Sequence, residues 1–111
     1  MKILIAAKGT DWNAEPDNRF GRAHYFLVYN EENKELTWHS NEENLNAGHG
    51  AGIQAAQKAI NLGADVIISA ELGPKAMQVI NTTNCKLLKV DDSKTIKALY
   101  DNYKEGKLAG Q

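Results

Sequence analysis

Two arginines in one short segment are the residues of this chain best suited to chemistry. Arg19 and Arg22 flank Phe20 and Gly21 within residues 17–29, which read DNRFGRAHYFLVY. Each guanidinium is a planar fork of N–H donors that suits an anion, and Gly21 lets a ligand approach the backbone closely. The apolar, β-branched and aromatic residues that follow predict a strand. The segment therefore predicts an anion-binding loop attached to a rigid element.

The same segment also has a purely structural interpretation. The two arginines would then pair with carboxylates nearby in the sequence, such as those of Glu15 and Asp17, and Gly21 would serve only the turn. The two interpretations differ in whether guanidinium donors remain for a ligand. The sequence alone leaves both open.

A glycine-rich segment, NLNAGHGAG at residues 44–52, precedes a helical pattern. The apolar positions at helical spacing are Ile53, Ala56, Ala59 and Ile60, and Gly63 ends the pattern. Small residues on this face predict close packing against a sheet. The start of such a helix offers backbone N–H groups to an anion.

Five strands and two further helices complete the pattern, in the order βββαβαβα. The apolar run at residues 2–7, stopped by Lys8 and Gly9, predicts a central strand covered on both faces. The other strands are predicted at residues 23–29, 35–41, 65–69 and 86–90, the first two of these forming a hairpin. The further helices are predicted from Pro74 to about Thr82 and after a cap at Asp92 or Ser93, and the chain should fray from Gly106 onward.

The strand directions place several loops together. Strands joined through helices run parallel, whereas the hairpin makes its two strands antiparallel. If the second strand returns beside the first, one sheet edge carries the loop after the first strand, the entry to the second strand at residues 20–23, the glycine-rich segment and the turns at 71–74 and 91–92. Ligands of open α/β sheets bind at this carboxyl edge, where connections diverge to opposite faces. That point lies between the first and fourth strands.

Composition limits the remaining classes of protein. A chain of 111 residues forms one domain over residues 1–111, and a net charge of -1 lacks the basic excess typical of nucleic-acid binders. The single cysteine, Cys85, cannot form an internal disulfide, and the apolar run at residues 3–7 is too short to span a membrane. We therefore expect a cytoplasmic protein with neither nucleic-acid nor membrane partners.

Taken together, the motifs resemble the dinitrogenase iron-molybdenum cofactor biosynthesis family, which includes NifX- and NafY-type proteins, the carboxyl-terminal part of NifB and the molybdenum-copper orange protein. The resemblance rests on the first strand and on three segments in order: DNRFGRAHYFLVY, GHGAGIQAAQ and VIISAELGPKAMQVI. It implies a ribonuclease H-like three-layer α/β/α fold with a mixed five-stranded sheet, order 3-2-1-4-5, in which strand 2 is antiparallel. It also implies binding or transfer of metal-sulfur cofactors, and no established catalytic reaction.

A molybdenum sulfide cluster is anionic, so arginine, lysine and backbone N–H groups can hold it without entering the coordination sphere of the metal. The candidate cofactor-binding residues are Lys8, Arg19, Phe20, Gly21, Arg22, Gly48, His49, Gly50, Gly52 and Gly73, and the candidate direct metal ligands are His24 and His49. The expected cargo is a molybdenum-containing cluster of the Mo-Cu or Fe-Mo type, held by a monomer that exchanges it with donor or acceptor proteins. Several family members have histidine where this chain has Arg19, and Cys85 is expected to replace a buried apolar residue.

Two other classes remain as alternatives. A ribonuclease H-like phosphodiesterase holds two magnesium ions through carboxylates, one of them on the first strand, but residues 3–7 contain no carboxylate and Lys8 follows them. A small oxyanion or nucleotide binder would use GHGAG. Its glycines follow a G-x-G-x-G spacing after a long loop, rather than G-x-G-x-x-G directly after a strand.

Overall fold

The computed structural model describes residues 1–45 and 50–111. One mixed sheet has the order β3-β2-β1-β4-β5 and is formed by Lys2–Ala7 (β1), Tyr25–Asn30 (β2), Glu35–Ser40 (β3), Val66–Ser69 (β4) and Lys86–Lys89 (β5). The helices are Glu42–Leu45 (α1), Ala51–Asn61 (α2), Pro74–Ile80 (α3) and Ile96–Lys104 (α4). Strand β2 runs antiparallel to both of its neighbours, while β1, β4 and β5 are parallel. The predicted strand order and directions are confirmed.

Strand β1 is central because its side chains are apolar on both sides. Ile3, Leu4, Ile5, Ala6 and Ala7 are all buried. Leu4 and Ala6 contribute to one core with Phe26 and the alanines of α2, whereas Ile3 and Ile5 contribute to a second core with Ile96 and Leu99 of α4. The sheet thus lies between α2 and α3 on one face and α4 on the other, as the three-layer prediction requires.

The long connection after β1 is attached to α4. The amide nitrogens of Ile96 and Lys97 donate to the carbonyl oxygens of Ala14 and Trp12 at 2.8 and 2.9 Å. The ring of Trp12 also packs edge-on against that of Tyr29, with centroids 5.0 Å apart. This connection is therefore held in place by α4 and by the sheet.

Across the described parts of the chain, no helix is long and apolar enough to cross a membrane.

Two helix predictions need correction. Ile53 was expected on the buried face of α2, but it is 38% exposed, because the first turn of the helix lines a cleft instead of covering the sheet. The cap of α4 is Thr95, whose side chain accepts from the amide of Ala98 at 3.1 Å. Asp91 and Ser93 instead form a turn in which the Asp91 carboxylate accepts from the Ser93 amide. The short helix α1 was not predicted.

The expected frayed end is also wrong. The amide of Lys89 donates to the carbonyl of Ala109 at 2.7 Å, and the amide of Gln111 donates to the carbonyl of Leu87 at 3.0 Å. The Gln111 side chain accepts from the amide of Leu72 and donates to carbonyls of β4 and β5. Residues 109–111 consequently cover the outer edge of β5, which an assignment from composition could not foresee.

Candidate functional site

The arginine loop and the start of α2 touch each other at the carboxyl edge of the sheet. A Cβ atom added to Gly21 would lie 2.8 Å from the amide nitrogen of Gly52 and 3.0 Å from the carbonyl carbon of Ala51. Real Cβ atoms do not approach backbone atoms this closely, so glycine is needed for the contact. The predicted proximity of the two segments is confirmed for the described part of the glycine-rich loop. Gly48 and His49 lie outside the described residues, together with the rest of 46–49.

A cleft of about 400 Å³ opens beside this contact. Its walls are the first turns of α2 and α3, formed by Gly50, Ala51, Gly52 and Ile53 and by Gly73, Pro74, Lys75 and Ala76. Three of the predicted site glycines, Gly50, Gly52 and Gly73, are therefore brought together. Most of the wall side chains are apolar, so the polar groups available to a ligand are backbone amides and the side chain of Lys75.

The amides at the start of α2 are available because of the residue that begins the helix. Gly50 occupies the cap position with φ 76°, a conformation that favours glycine, and it has no side chain to accept from the first turn. Within the described residues, the N–H groups of Ala51, Gly52 and Ile53 have no acceptor. Unpaired amides at the positive end of a helix are well placed for an anion.

Arg22 retains hydrogen-bonding capacity for a ligand. Its Nη1 donates to the carbonyl oxygens of Asn44 at 3.3 Å and Leu45 at 3.1 Å, the last residues before the undescribed segment. No carboxylate among the described residues lies within ion-pair distance of Arg22. The Nε and Nη2 edge of the fork is consequently unpaired in the described structure, at the entrance to the glycine-rich loop.

Arg19 is engaged with a buried carboxylate. Its Nε and Nη2 donate to Asp17 at 3.0 and 3.1 Å, and the backbone amide of Arg19 also donates to Asp17 at 3.0 Å. The Asp17 side chain is 0% exposed, whereas that of Arg19 is 50% exposed. Its hydrogen bond to Asp17 raises the pKa of Arg19, and the negative charge adds to the effect. The structural interpretation therefore describes Arg19 well, and only the remaining guanidinium edge can face an anion.

Phe20 and Lys8 do not line the cleft. The Phe20 side chain is 6% exposed and packs against Phe26 with ring centroids 5.5 Å apart, so it anchors the arginine loop in the core and is unsuited to ligand contact. Lys8 forms an ion pair with Glu15 at 3.6 Å and lines a separate cavity of about 180 Å³ beside residues 90–94. The structure thus separates Lys8 from the glycine cleft, although both lie on one sheet edge.

His24 is exposed immediately before β2, at the same edge. Its carbonyl accepts from the amide of Asn41 at 2.9 Å, and its ring lies 6.5 Å from that of Tyr25. Among the residues at 1–45 and 50–111, no three His, Cys, Asp or Glu side chains are grouped to hold a metal ion. Burial, followed by the charge of Asp65, raises the pKa of Cys85 to about 11, as expected for a structural thiol.

Sequence reasoning missed Asn41 and Asn44, two buried residues that support the site. The Asn41 Nδ2 donates to the carbonyl oxygens of Gly21 at 3.1 Å and Ala23 at 2.9 Å, and its Oδ1 accepts from Asn44 at 2.7 Å. These bonds hold the backbone on either side of Arg22. The available signal was an asparagine at the end of a strand followed by two glutamates, a pattern typical of a helix start.

The fold and the site define a small α/β domain with a mixed sheet and an amide-lined cleft at its carboxyl edge. The chain belongs to the dinitrogenase iron-molybdenum cofactor family, whose sequence model matches residues 1–106. It is also 32% identical over 110 residues to protein MJ0580 of Methanocaldococcus jannaschii, covering 97% of this chain and 92% of that protein.

Solved structures agree with this assignment. The apo form of the orange protein from Desulfovibrio gigas superimposes with a TM-score of 0.92 at 28% identity, covering 99% of this chain and 92% of that one. A putative NifB protein from Thermotoga superimposes with a TM-score of 0.83 at 24% identity, covering 98% and 91%. At that identity, the second likeness concerns the fold alone.

Proposed function

We propose that the protein binds and carries an anionic molybdenum-containing metal-sulfur cluster and catalyses no reaction of its own. The observation that carries the proposal is the contact between Gly21 and the first turn of α2. This contact places the unpaired edge of Arg22 and the amides of residues 51–53 on neighbouring segments at one edge of the sheet. Membership of the dinitrogenase iron-molybdenum cofactor family supports the nature of the cargo.

The chemistry of the cleft suits such a cargo. Sulfide ligands on a cluster are weak hydrogen-bond acceptors with a polarizable surface, so they match walls of alanine, isoleucine and proline interrupted by N–H donors. The positive end of α2 and the Lys75 ammonium favour negative charge in the cleft without displacing sulfur from the metal, and the guanidinium of Arg22 adds positive charge from the neighbouring loop. Binding of this kind is reversible, because no bond to the metal has to be broken. A carrier that passes the cluster from a donor protein to an acceptor protein needs such reversible binding.

The residues contribute in different ways. Gly50, Gly52 and Gly73 shape the cleft, Arg22 supplies charge and directional donors, and the outer edge of Arg19 adds positive charge while its inner edge holds Asp17. Asn41 and Asn44 keep this arrangement in place. His24, with Gly48 and His49 of the undescribed segment, completes the set of proposed contacts. The proposed setting is the cytoplasm.

Thermal denaturation with candidate ligands separates this proposal from the two alternatives. Only a ligand that binds the native state raises the melting temperature, by an amount that grows with its concentration over its Kd. We expect thiomolybdate, with or without copper, to raise it under anaerobic conditions, while magnesium and nucleotides leave it unchanged. Stabilisation by magnesium would favour a phosphodiesterase, and stabilisation by nucleotides alone would favour a nucleotide binder. Molybdenum retained after gel filtration gives the independent measurement.

A further inference from the structure

Among the described residues, one edge of the sheet is covered by a further segment and the other has no strand beside it. Residues 109–111 pair with β5 through the bridge between Leu88 and Gly110. Strand β3 forms the opposite edge, and no described strand lies outside it. Exposed edge strands are usually protected by proline, a bulge or an inward-pointing charge. The sequence of β3, ELTWHS, contains no proline, and its register with β2 is unbroken over six residue pairs.

The register determines which backbone groups of β3 are free. The amide of Asn41 donates to the carbonyl of His24, which makes this a hydrogen-bonded pair. Because hydrogen-bonded pairs alternate along an antiparallel ladder, the backbone N–H and C=O groups of residues 35, 37, 39 and 41 point toward β2. The N–H and C=O groups of Leu36 and Trp38 therefore point outward. The outward carbonyl of Ser40 already accepts from the Lys58 ammonium, which also pairs with Glu43. An added strand would thus find its free partners at Leu36 and Trp38.

Two large apolar side chains, those of Leu36 and Trp38, lie along this edge. Trp38 is 55% exposed, and its ring meets that of Tyr25 edge-on with centroids 5.9 Å apart. Leu36 lies on the same side of the strand and packs only partly against the core beneath α4. Such a strip, beside free backbone groups, has the composition of an interface core.

We infer that β3 pairs with β3 of a second copy of this chain, antiparallel, about a two-fold axis through Thr37. This register places Leu36 opposite Trp38 of the partner copy, and both residues use the backbone groups that face outward. Glu35 then lies opposite His39, so a carboxylate meets an imidazole whose Nε2 is already engaged with the Thr37 hydroxyl at 3.0 Å. Thr37 lies opposite itself, a favourable cross-strand pair.

A second copy fits this edge better than an unrelated strand because residues 35–39 each lie opposite a compatible residue of the same strand. The apolar pair repeats on both sides of the axis, and so does the pair of Glu35 and His39. The Lys58–Glu43 contact at Ser40 ends the ladder after these positions, so the interface is small and the association weak. This dimer departs from the monomer expected from sequence, because the sheet order alone decides which edge is open. It is independent of the proposed cargo.

Sedimentation velocity from about 10 µM to about 1 mM protein measures the association, a range that brackets weak complexes. We expect a concentration-dependent dimer that Trp38→Lys abolishes, while Gln78→Lys, the same change of charge on the exposed side of α3, retains it. A chain that stays monomeric over this range, or a dimer that survives Trp38→Lys, would overturn the inference.

Disulfide trapping tests the register without relying on a disruptive substitution. In a Cys85→Ala background, Thr37→Cys should form a covalent dimer on mild oxidation. Residues directly opposite each other in a non-hydrogen-bonded pair have their Cα atoms about 4.5 Å apart, which is within disulfide range. Leu36→Cys faces Trp38 rather than itself and should cross-link far more slowly. Equal rates for the two variants would rule out the two-fold axis at Thr37.

Discussion

Gly21 and Gly52 meet backbone to backbone, with the position of a Cβ on Gly21 only 2.8 Å from the Gly52 amide nitrogen. The three nearest atoms that such a Cβ would meet all belong to the backbone of α2, which cannot rotate away as a flexible side chain can. The arginine loop and the helix that begins at the glycine-rich segment are therefore one unit.

Gly21→Ala should lower the free energy of unfolding by about 1 to 3 kcal/mol, because the added methyl forces the start of α2 away from the loop. Urea unfolding measures the change. Gly73→Ala is the matched control, since a Cβ there meets nothing within 4 Å and its φ of -66° is ordinary. We expect the control to stay within about 0.5 kcal/mol of wild type. Equal stability of the two variants would show that the contact is not tight.

Asn41→Ala should destabilise the protein by about 2 to 4 kcal/mol, because the carbonyls of Gly21 and Ala23 lose their donor in a buried setting. Hydrogen exchange should also become faster in residues 20–24. Asn84→Ala, at an exposed position on the opposite sheet edge, is the control and should change little. If both variants unfold at the same urea concentration, Asn41 does not support the loop.

A charge placed in the cleft should weaken binding of an anion specifically. Ile53→Asp puts a carboxylate in the first turn of α2, where it is favourable to the helix and unfavourable to an anionic ligand. Ile53→Asn is nearly identical in shape and carries no charge. We expect thiomolybdate to bind the aspartate variant about tenfold more weakly than the asparagine variant, which corresponds to about 1.4 kcal/mol. Equal affinities in an absorption titration would place the ligand elsewhere.

The contact between Glu31 and Tyr100 should make stability depend on pH. The Tyr100 hydroxyl donates to the Glu31 carboxylate at 2.5 Å, and this hydrogen bond is the main cause of the lowered Glu31 pKa. The contribution is present above the unfolded pKa of Glu31 and is lost as pH falls through the lower folded value. Burial, then the same bond, raises the pKa of Tyr100. On the alkaline side, the contribution of this contact to stability is therefore retained to about pH 10 and is lost as pH rises through the raised pKa of Tyr100.

Comparison of Tyr100→Phe with Tyr103→Phe tests this contact. At pH 7 the first variant should lose about 1 to 2 kcal/mol of unfolding free energy, and the difference should shrink by about pH 3. The Tyr103 hydroxyl makes no hydrogen bond to the described residues, so its loss should cost less at both pH values. A deficit for Tyr100→Phe that stays constant with pH would contradict the charge-assisted bond.

The sequence was sufficient for the sheet because each strand has its own pattern. The unbroken apolar run at residues 3–7 requires cover on both faces, and the tight turn after Asn30 fixes the hairpin. The end of the chain could not be read in this way, because residues 109–111 are held by backbone bonds to β5 and by the Gln111 side chain. Such bonds leave no pattern in the apolar residues.

The candidate site was only partly predictable for a related reason. Glycine at positions 21, 50 and 52 signals close approach or an unusual φ, and the structure shows both. The sequence could not distinguish Arg19 from Arg22, since both are arginines within two residues of Gly21. Their difference comes from the burial of Asp17, which commits the fork of Arg19, and from the carbonyl groups at the end of α1, which engage only one nitrogen of Arg22.

The central claim is that Arg22 and the amides of α2 hold an anionic cluster electrostatically. The most direct test is an anaerobic titration of thiomolybdate, with and without copper, into wild type and single variants, followed by charge-transfer absorption. Arg22→Ala should lose about five- to hundredfold in affinity, and Arg22→Lys should recover part of it. Arg19→Ala should lose less, because its fork is already committed to Asp17. Lys86→Ala, which removes the same charge at the opposite edge, should bind as wild type does. Unchanged affinity in Arg22→Ala together with loss in His24→Ala would contradict electrostatic holding and favour direct imidazole ligation.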